Sequence, residues 1–271
     1  MTGIRLTDVS IELDGEQIVS AFDLDVAPGS MVGLVGPNGA GKTTVLRAIA
    51  GSLPVRGTIE LGTLQDGGKD RAAWARRVAL VPQRPELPVD MRVIDYVMLG
   101  RTPHLRYLAM EKASDHTRVA DALRSLDLLE LAGRPLGALS GGEQQRAVLA
   151  RSLAQAAPVL LLDEPTAALD VGHAQQVLDL VDEIRRSCGL TVVAALHDLT
   201  LAAQFCDRLV MISGGRVVAE GAPRTVLTES IIRTHYGAEV KVLDDGDGGV
   251  VVIPVRDSRR APGAASMAEH S

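Results

Sequence analysis

Residues 36–44 read GPNGAGKTT, a glycine-rich run ending in Lys-Thr-Thr. The run fits G-x-x-x-x-G-K-[ST] and lies between an apolar MVGLV stretch and a helical TTVLRAIAG stretch. The chemistry suited to that spacing is phosphate binding. Gly36, Pro37, Asn38, Gly39, Ala40 and Gly41 leave backbone N–H groups free to wrap an anion, and Thr44 closes the run. Lys42 supplies a cation for the β- and γ-phosphates, and Thr43 offers a hydroxyl to Mg²⁺. A second constellation, LLLDEP at 160–165, ends an apolar strand in two acids. Asp163 is expected to hold Mg²⁺ through water beside the phosphate loop. Glu164, one residue farther out, can polarise an attacking water as a general base. A third stretch, LSGGEQQR at 139–146, has Ser140 and Glu143 in capping-box spacing at a helix start. Gly141 and Gly142 leave that helix start open to an anion. By itself this stretch reads as a helix cap.

The elements around these residues alternate. IRLTDVSIEL and QIVSAFDLDV, joined by a DGE turn, predict an antiparallel pair of strands. MVGLV predicts a buried strand, and GTIELG and RVALVPQ two more. Residues 86–136 are helix-rich, with helices expected over VIDYVMLG and over EKASDHTRVADALRSLDLLELAG, and no strand. From Gly141 onward helices alternate with the strands VLLLDEP, TVVAAL and RLVMIS, which predicts a mostly parallel sheet covered by helices. In the helix after Gly172, Val177, Leu180, Val181 and Ile184 share one face. VVAEG, a helix over PRTVLTESIIRTHYG and a strand at EVKVL complete the ordered part. The acidic DDGDGG at 244–249 reads as a turn. Residues 257–271 have too little apolar content to fold and are expected to be a disordered tail.

Composition narrows the function classes. Aromatic residues make up 2% of the chain, so the core must be built from Leu, Val, Ile and Ala. A net charge of −6 argues against a surface devoted to nucleic acid. Cys188 and Cys206 lack metal-like spacing and cannot form a disulfide framework, which fits a reducing compartment. No apolar run approaches the ~20 residues of a membrane span. The N-terminus shows no signal peptide, so a membrane role must come through a partner.

GPNGAGKTT, Gln83 in VPQ, LSGGEQQR, LLLDEP, AALD at 167–170 and His197 in LHDL follow one another as in ATP-binding-cassette (ABC) ATPases, which the chain resembles over residues 4–243. The resemblance implies an α/β P-loop NTPase fold of the ABC nucleotide-binding type, a single domain over 1–243. That domain would have an N-terminal antiparallel β-subdomain, with a helical subdomain at about 86–145 inserted between the glutamine loop and the signature motif. A loop and strand at 244–256 would follow. Its cofactors would be ATP and Mg²⁺. The resemblance makes Glu164, His197, Gln83 and Lys42 the catalytic set and Thr43, Gln83 and Asp163 the Mg²⁺ set. Gln83 would sense Mg²⁺ and the γ-phosphate. His197 would contact the γ-phosphate and hold Glu164. Asp170 would lie at a subunit interface. Ser140, Gly141, Gly142 and Glu143 would serve nucleotide held by a second copy in a head-to-tail dimer. One departure stands out: Leu13 occupies the place where such cassettes usually stack an aromatic on adenine, which implies weak discrimination between ATP and GTP.

A single free-standing cassette is the arrangement of bacterial importers. DMRVIDYVMLGRTPHL is similar to the corresponding segment in importers of iron–siderophore complexes, haem and cobalamin. That similarity implies uptake of a metal chelate through polytopic permease subunits, served indirectly by a substrate-binding protein. The chain would work at the cytoplasmic face of the cell membrane. Met91, Val93, Ile94, Val97 and Met98 are expected to form the cleft that receives the permease. The alternatives are a non-transport ABC ATPase acting on nucleic acid or ribosomes, disfavoured by the acidic charge, and a regulator without catalysis, disfavoured by Glu164 and His197.

Overall fold

A two-residue turn starts the architecture. In the computed structural model, which describes residues 2–65, 70–105, 110–167, 169–246 and 249–256, β1 (Ile4–Leu13) and β2 (Glu16–Val26) pair antiparallel with Leu13 opposite Glu16. Asp14 and Gly15 both take positive φ, 51° and 80°, the backbone that a tight hairpin turn requires. The chain then forms β3 (Met31–Val35) and α1 (Lys42–Ile49). It returns through β4 (Arg56–Leu61) and β5 (Leu64–Gln65), which complete an antiparallel sheet in the order β2-β1-β4-β5. Next come α2 (Arg71–Ala75) and β6 (Val78–Val81). Trp74 of α2 donates its indole N–H to the carbonyl of Ile49 at 3.0 Å, which ties α2 to the end of α1.

Residues 86–136 hold α3 (Val93–Met98), a 3-10 turn at Leu99–His104, α4 (Ala113–Ser125), and 3-10 turns at Leu129–Leu131 and Leu136–Ala138. Among the described residues this stretch has no strand, only an isolated bridge between Arg92 and Pro135. The helix expected over residues 111–133 is shorter than its apolar pattern. It ends at Ser125, and Asp127 adopts φ 52°, which breaks the helical path. α5 (Gly141–Ala154) follows and packs on α3 and α4 through buried Tyr96, Val97, Leu123 and Val148.

The second half alternates as expected: β7 (Val159–Asp163), α6 (Val171–Cys188), β8 (Thr191–Ala195), α7 (Leu199–Phe205), β9 (Arg208–Ser213) and β10 (Arg216–Gly221). The large sheet has the order β10-β9-β3-β8-β7-β6, parallel throughout except for β10. Alternate residues of its strands feed two cores. Val32, Leu34, Leu161 and Val210 pack with α1 and the antiparallel sheet. Met31, Val35, Leu160, Leu162 and Met211 pack with the helices of the opposite face. On α6, Val177, Val181 and Ile184 are buried as expected and Leu180 is half-buried, with Ala174 and Leu178 completing the face.

The helix expected after β10 is in fact two, α8 (Pro223–Val226) and α9 (Glu229–Tyr236). Thr228 leaves helical geometry and its side chain caps the N–H of Ile231, restarting the chain in a new direction. β11 (Val240–Asp244) and β12 (Val250–Pro254) form a hairpin joined to α7 by Thr200, which bonds the backbone of Val252. The proposed tail at 257–271 lies outside the described residues.

Candidate functional site

Four loops leave neighbouring parallel strands at their carboxyl ends, the edge where open α/β sheets bind ligands. β3 runs into loop 36–41, β6 into Gln83, β7 into Glu164 and β8 into His197. Together with Leu13 they surround a cleft of about 470 Å³ lined also by residues 38–44 and Ile18. Gly41 caps the start of α1 with φ 104°, a backbone that a side chain would strain. It turns the loop into the helix so that the first N–H groups of α1 face the cleft.

Lys42 is 5% exposed, and its ammonium donates to the carbonyls of Gly36 at 2.7 Å and Pro37 at 3.2 Å. Burial pulls its pKa below the usual lysine value, while Glu164 and Asp163 pull in the opposite direction. Behind it, the hydroxyl of Thr43 donates to Asp163 Oδ1 at 2.8 Å. Asp163 is buried, and burial raises its carboxyl pKa despite the hydrogen bond from Thr43. Two adjoining hard oxygens beside a phosphate-type loop are the donor chemistry that Mg²⁺ selects. The residues present therefore fit that ion.

Glu164 is gripped from two sides. Its Oε1 pairs with His197 Nε2 and its Oε2 accepts from the amide of Gln83. Its backbone N–H bonds the carbonyl of Ala195 at 3.1 Å, which fixes it at the end of β7 against β8. Glu164 also has φ 50°, an uncommon backbone for a residue with a side chain, at a cost of about 1–3 kcal/mol that the surrounding bonds must offset. The contact with His197 accords with the sequence. The contact with Gln83, expected to face Mg²⁺ and the γ-phosphate, brings a third loop to the same carboxylate.

Loop residues 38–44, Leu13, Gln83, Glu164 and His197 thus share one cleft, with Gly36 and Pro37 beneath Lys42 and Asp163 behind Thr43. Ser140, Gly141, Gly142, Glu143 and Asp170 do not line it. Ser140 and Glu143 form the expected capping box of α5: the backbone N–H of Ser140 bonds Glu143 Oε2 at 2.7 Å, and the N–H of Glu143 bonds the Ser140 hydroxyl at 3.3 Å. Those bonds hold the Glu143 carboxyl below its usual pKa. Asp170 caps α6 by accepting the N–H of His173 at 2.9 Å and pairs with the ring Nδ1 of His173 at 2.8 Å. The two helix starts adjoin, since a methyl on Gly142 would lie 4.0 Å from the His173 ring.

Ile18 is the cleft residue that the sequence did not reveal. The β1–β2 register pairs Glu12 with Gln17 and Ile11 with Val19, so Ile18 is the extra residue of a bulge. A bulge re-aims its side chain, and no local pattern of residue types announces it. Of the five residues expected to receive a permease, Val93 and Val97 are fully buried in the helical core. Met91, Ile94 and Met98 keep part of their surface, next to the exposed Leu99.

The chain is similar to known proteins over most of its length. A family profile described as ABC transporter matches residues 19–167. The cobalamin import ATP-binding protein BtuD of Halobacterium salinarum is 43% identical over 269 residues, covering 98% of this chain and 67% of the relative. The hemin import ATP-binding protein HmuV of Nocardia farcinica is 43% identical over 248 residues, covering 89% of this chain and 83% of the relative. Among solved structures, a metal-chelate type ABC transporter in an inward-facing conformation matches with a TM-score of 0.82, covering 96% of this chain and 100% of that one. At 24% identity that last likeness speaks for the fold alone.

Proposed function

The chain belongs to the ABC transporter family as a transport-coupled ATPase, and from that premise we propose that it powers import of a metal chelate through a membrane permease. The observation that carries the catalytic part is the grip of Gln83 and His197 on Glu164, at the mouth of the phosphate loop. The inward direction and the class of cargo are supported by the names of the relatives, cobalamin import and hemin import. Among the described residues no helix is long and apolar enough to cross a membrane. The permease is met through Met91, Ile94 and Met98, with a substrate-binding protein beyond it. The working place is the cytoplasmic face of the membrane.

In this reading the phosphates of ATP lie against the backbone N–H groups of 36–44, and the base lies against Leu13 and Ile18. Lys42 turns from the loop carbonyls to the β- and γ-phosphates. Thr43 and Asp163 would hold Mg²⁺, aided by Gln83, and the ion would neutralise charge on the phosphate oxygens. Glu164 orients water in line with the γ-phosphate and accepts its proton, and His197 fixes Glu164 and contacts the same phosphate. Ser140, Gly141 and Gly142, which do not line this cleft, complete the site of a second copy. Their neighbour Asp170 lies at the seam between the two copies.

The test is uptake into vesicles that contain the permease. ATP-driven accumulation of hemin, cobalamin or a ferric siderophore is expected, with turnover down about 10²–10⁴-fold in Glu164→Gln. Purification with ribosomes or DNA in place of a polytopic membrane protein would overturn import.

A further inference from the structure

The 3-10 turn Leu99–His104 grips one end of a single helix, α5, whose other end carries residues 140–142. Gly100 presses against α5 so closely that a Cβ at that position would lie 2.1 Å from the carbonyl of Arg151. Arg101 follows, 7% exposed, with Nε on Asp115 Oδ1 at 2.9 Å and Nη1 on the carbonyl of Ala154 at 2.7 Å. His104 Nε2 bonds the carbonyl of Gln155 at 2.8 Å. The last carbonyls of a helix lack partners within it, and a cation placed there meets the negative end of the dipole. The side-chain amide of Gln155 in turn donates to the carbonyls of Ala75, which ends α2, and Val78, which starts β6. One turn of backbone at the end of α5 is thus bolted both to the 3-10 turn and to the large sheet. α3, continuous with the 3-10 turn, meets α5 at this same end, where the Arg151 guanidinium lies 5.2 Å over the Tyr96 ring. Beside the bolted end, a cleft of about 370 Å³ lined by Arg118, Ala122, Ser152, Ala156, Ile184 and Cys188 separates α4 and α5 from α6.

We propose that Arg101 and His104 are positioning residues for ATP hydrolysis: with Gln155 they make the C-terminal end of α5 a pivot, so that displacement of α3 swings residues 140–142 at the other end. The open cleft leaves α5 room to turn there, and the capping box keeps Ser140, Gly141 and Gly142 rigid with the helix as it turns. Neither residue lines the nucleotide cleft. This inference rests on the reading of residues 140–142 as contacts for a second copy's nucleotide.

The test replaces the buried pair with apolar side chains, Arg101→Met with Asp115→Leu, an exchange that cores commonly tolerate. Four quantities are measured in the purified full chain: melting temperature, ATP affinity of the monomer, kcat and KM at a protein concentration that saturates activity, and amide hydrogen exchange over residues 141–148. The expected result is unchanged ATP affinity and KM, kcat lower by about tenfold or more, and faster exchange over 141–148. Should the double variant fail to fold, Arg101→Lys takes its place, since it keeps the charge on Asp115 without the fork that also reaches Ala154. Wild-type kcat overturns the proposal. So does a loss of kcat matched by a loss of ATP affinity, which would put the lesion in the cleft. If the wild type shows no concentration-dependent turnover, the dimer reading fails by itself. Exchange over 141–148 then decides the pivot, and equal rates in variant and wild type overturn it.

Discussion

Leu13→Tyr tests how the cleft holds a base. Leu13 ends β1 at the hairpin turn and is half-buried, with Ile18 beside it across the bulge. An aromatic ring there displaces no packed core, because the strand ends at that residue and its partner Glu16 is exposed. The ring gains stacking of about 0.5–1.5 kcal/mol on aromatic-pair scales. At 1.4 kcal/mol per factor of ten, ATP should bind roughly 2- to 12-fold tighter. The converse change, Leu13→Ala, removes three carbons worth about 0.8 kcal/mol each when fully covered. Half cover leaves about 1 kcal/mol, a roughly fivefold loss. Leu13 and Ile18 offer no polar atom to tell the amino group of adenine from the oxygen of guanine. ATP and GTP should therefore bind the wild type with similar affinity. Paired calorimetric titrations of monomeric wild type, Leu13→Tyr and Leu13→Ala with both nucleotides measure all three effects. Unchanged ATP affinity in both variants would show that the base does not rest on Leu13. A strong ATP preference in the wild type would mean that another group reads it.

Three further outcomes follow from the same geometry. Ser140→Arg should abolish the concentration-dependent part of ATPase activity, while the monomer binds ATP as before; equal loss at all concentrations would count against a site shared between copies. Burial raises the pKa of Asp163, so the stability linked to its proton is fully present below the unfolded pKa and is lost as pH rises through the raised folded value. Asp163→Asn without nucleotide should accordingly melt above the wild type near neutral pH, with an advantage that shrinks toward acid, and a pH-independent offset would contradict this. Ile94→Glu should weaken capture by the permease by about tenfold or more, the worth of one buried aliphatic side chain, with ATP binding retained; undiminished capture would move the docking face elsewhere.

The parts of the site legible in the sequence are those fixed by short-range rules. The loop at 36–44, the acids ending β7 and the capping box each depend on neighbours within a few residues, and backbone sterics and helix ends dictate those residue types. The outer strands β1 and β2 were legible from alternation, and β3, β7 and β8 from short continuous apolar runs, because both faces of the large sheet are covered. What escaped was set at long range or by a local break. Ile18 enters the cleft through a bulge. Gln83 reaches Glu164 across 81 positions of chain. The apolar pattern of residues 111–133 continues past Ser125, yet the backbone reverses at Asp127 and satisfies the same pattern with two shorter pieces. Val93 and Val97 have the composition of a docking face and the burial of a core, and composition does not separate the two.

The hydrogen bond from Trp74 to Ile49 has an optical consequence. The chain has one tryptophan, so emission excited beyond the absorption of its tyrosines comes from one known position. That position, in α2, lies against the far end of α1, the helix whose first residues carry Lys42 and Thr43. The indole is nearly buried and its N–H is engaged, which makes the colour of its emission sensitive to small shifts of Ile49. A ligand that moves α1 along its axis writes its arrival into that signal, with no label attached and no substitution made.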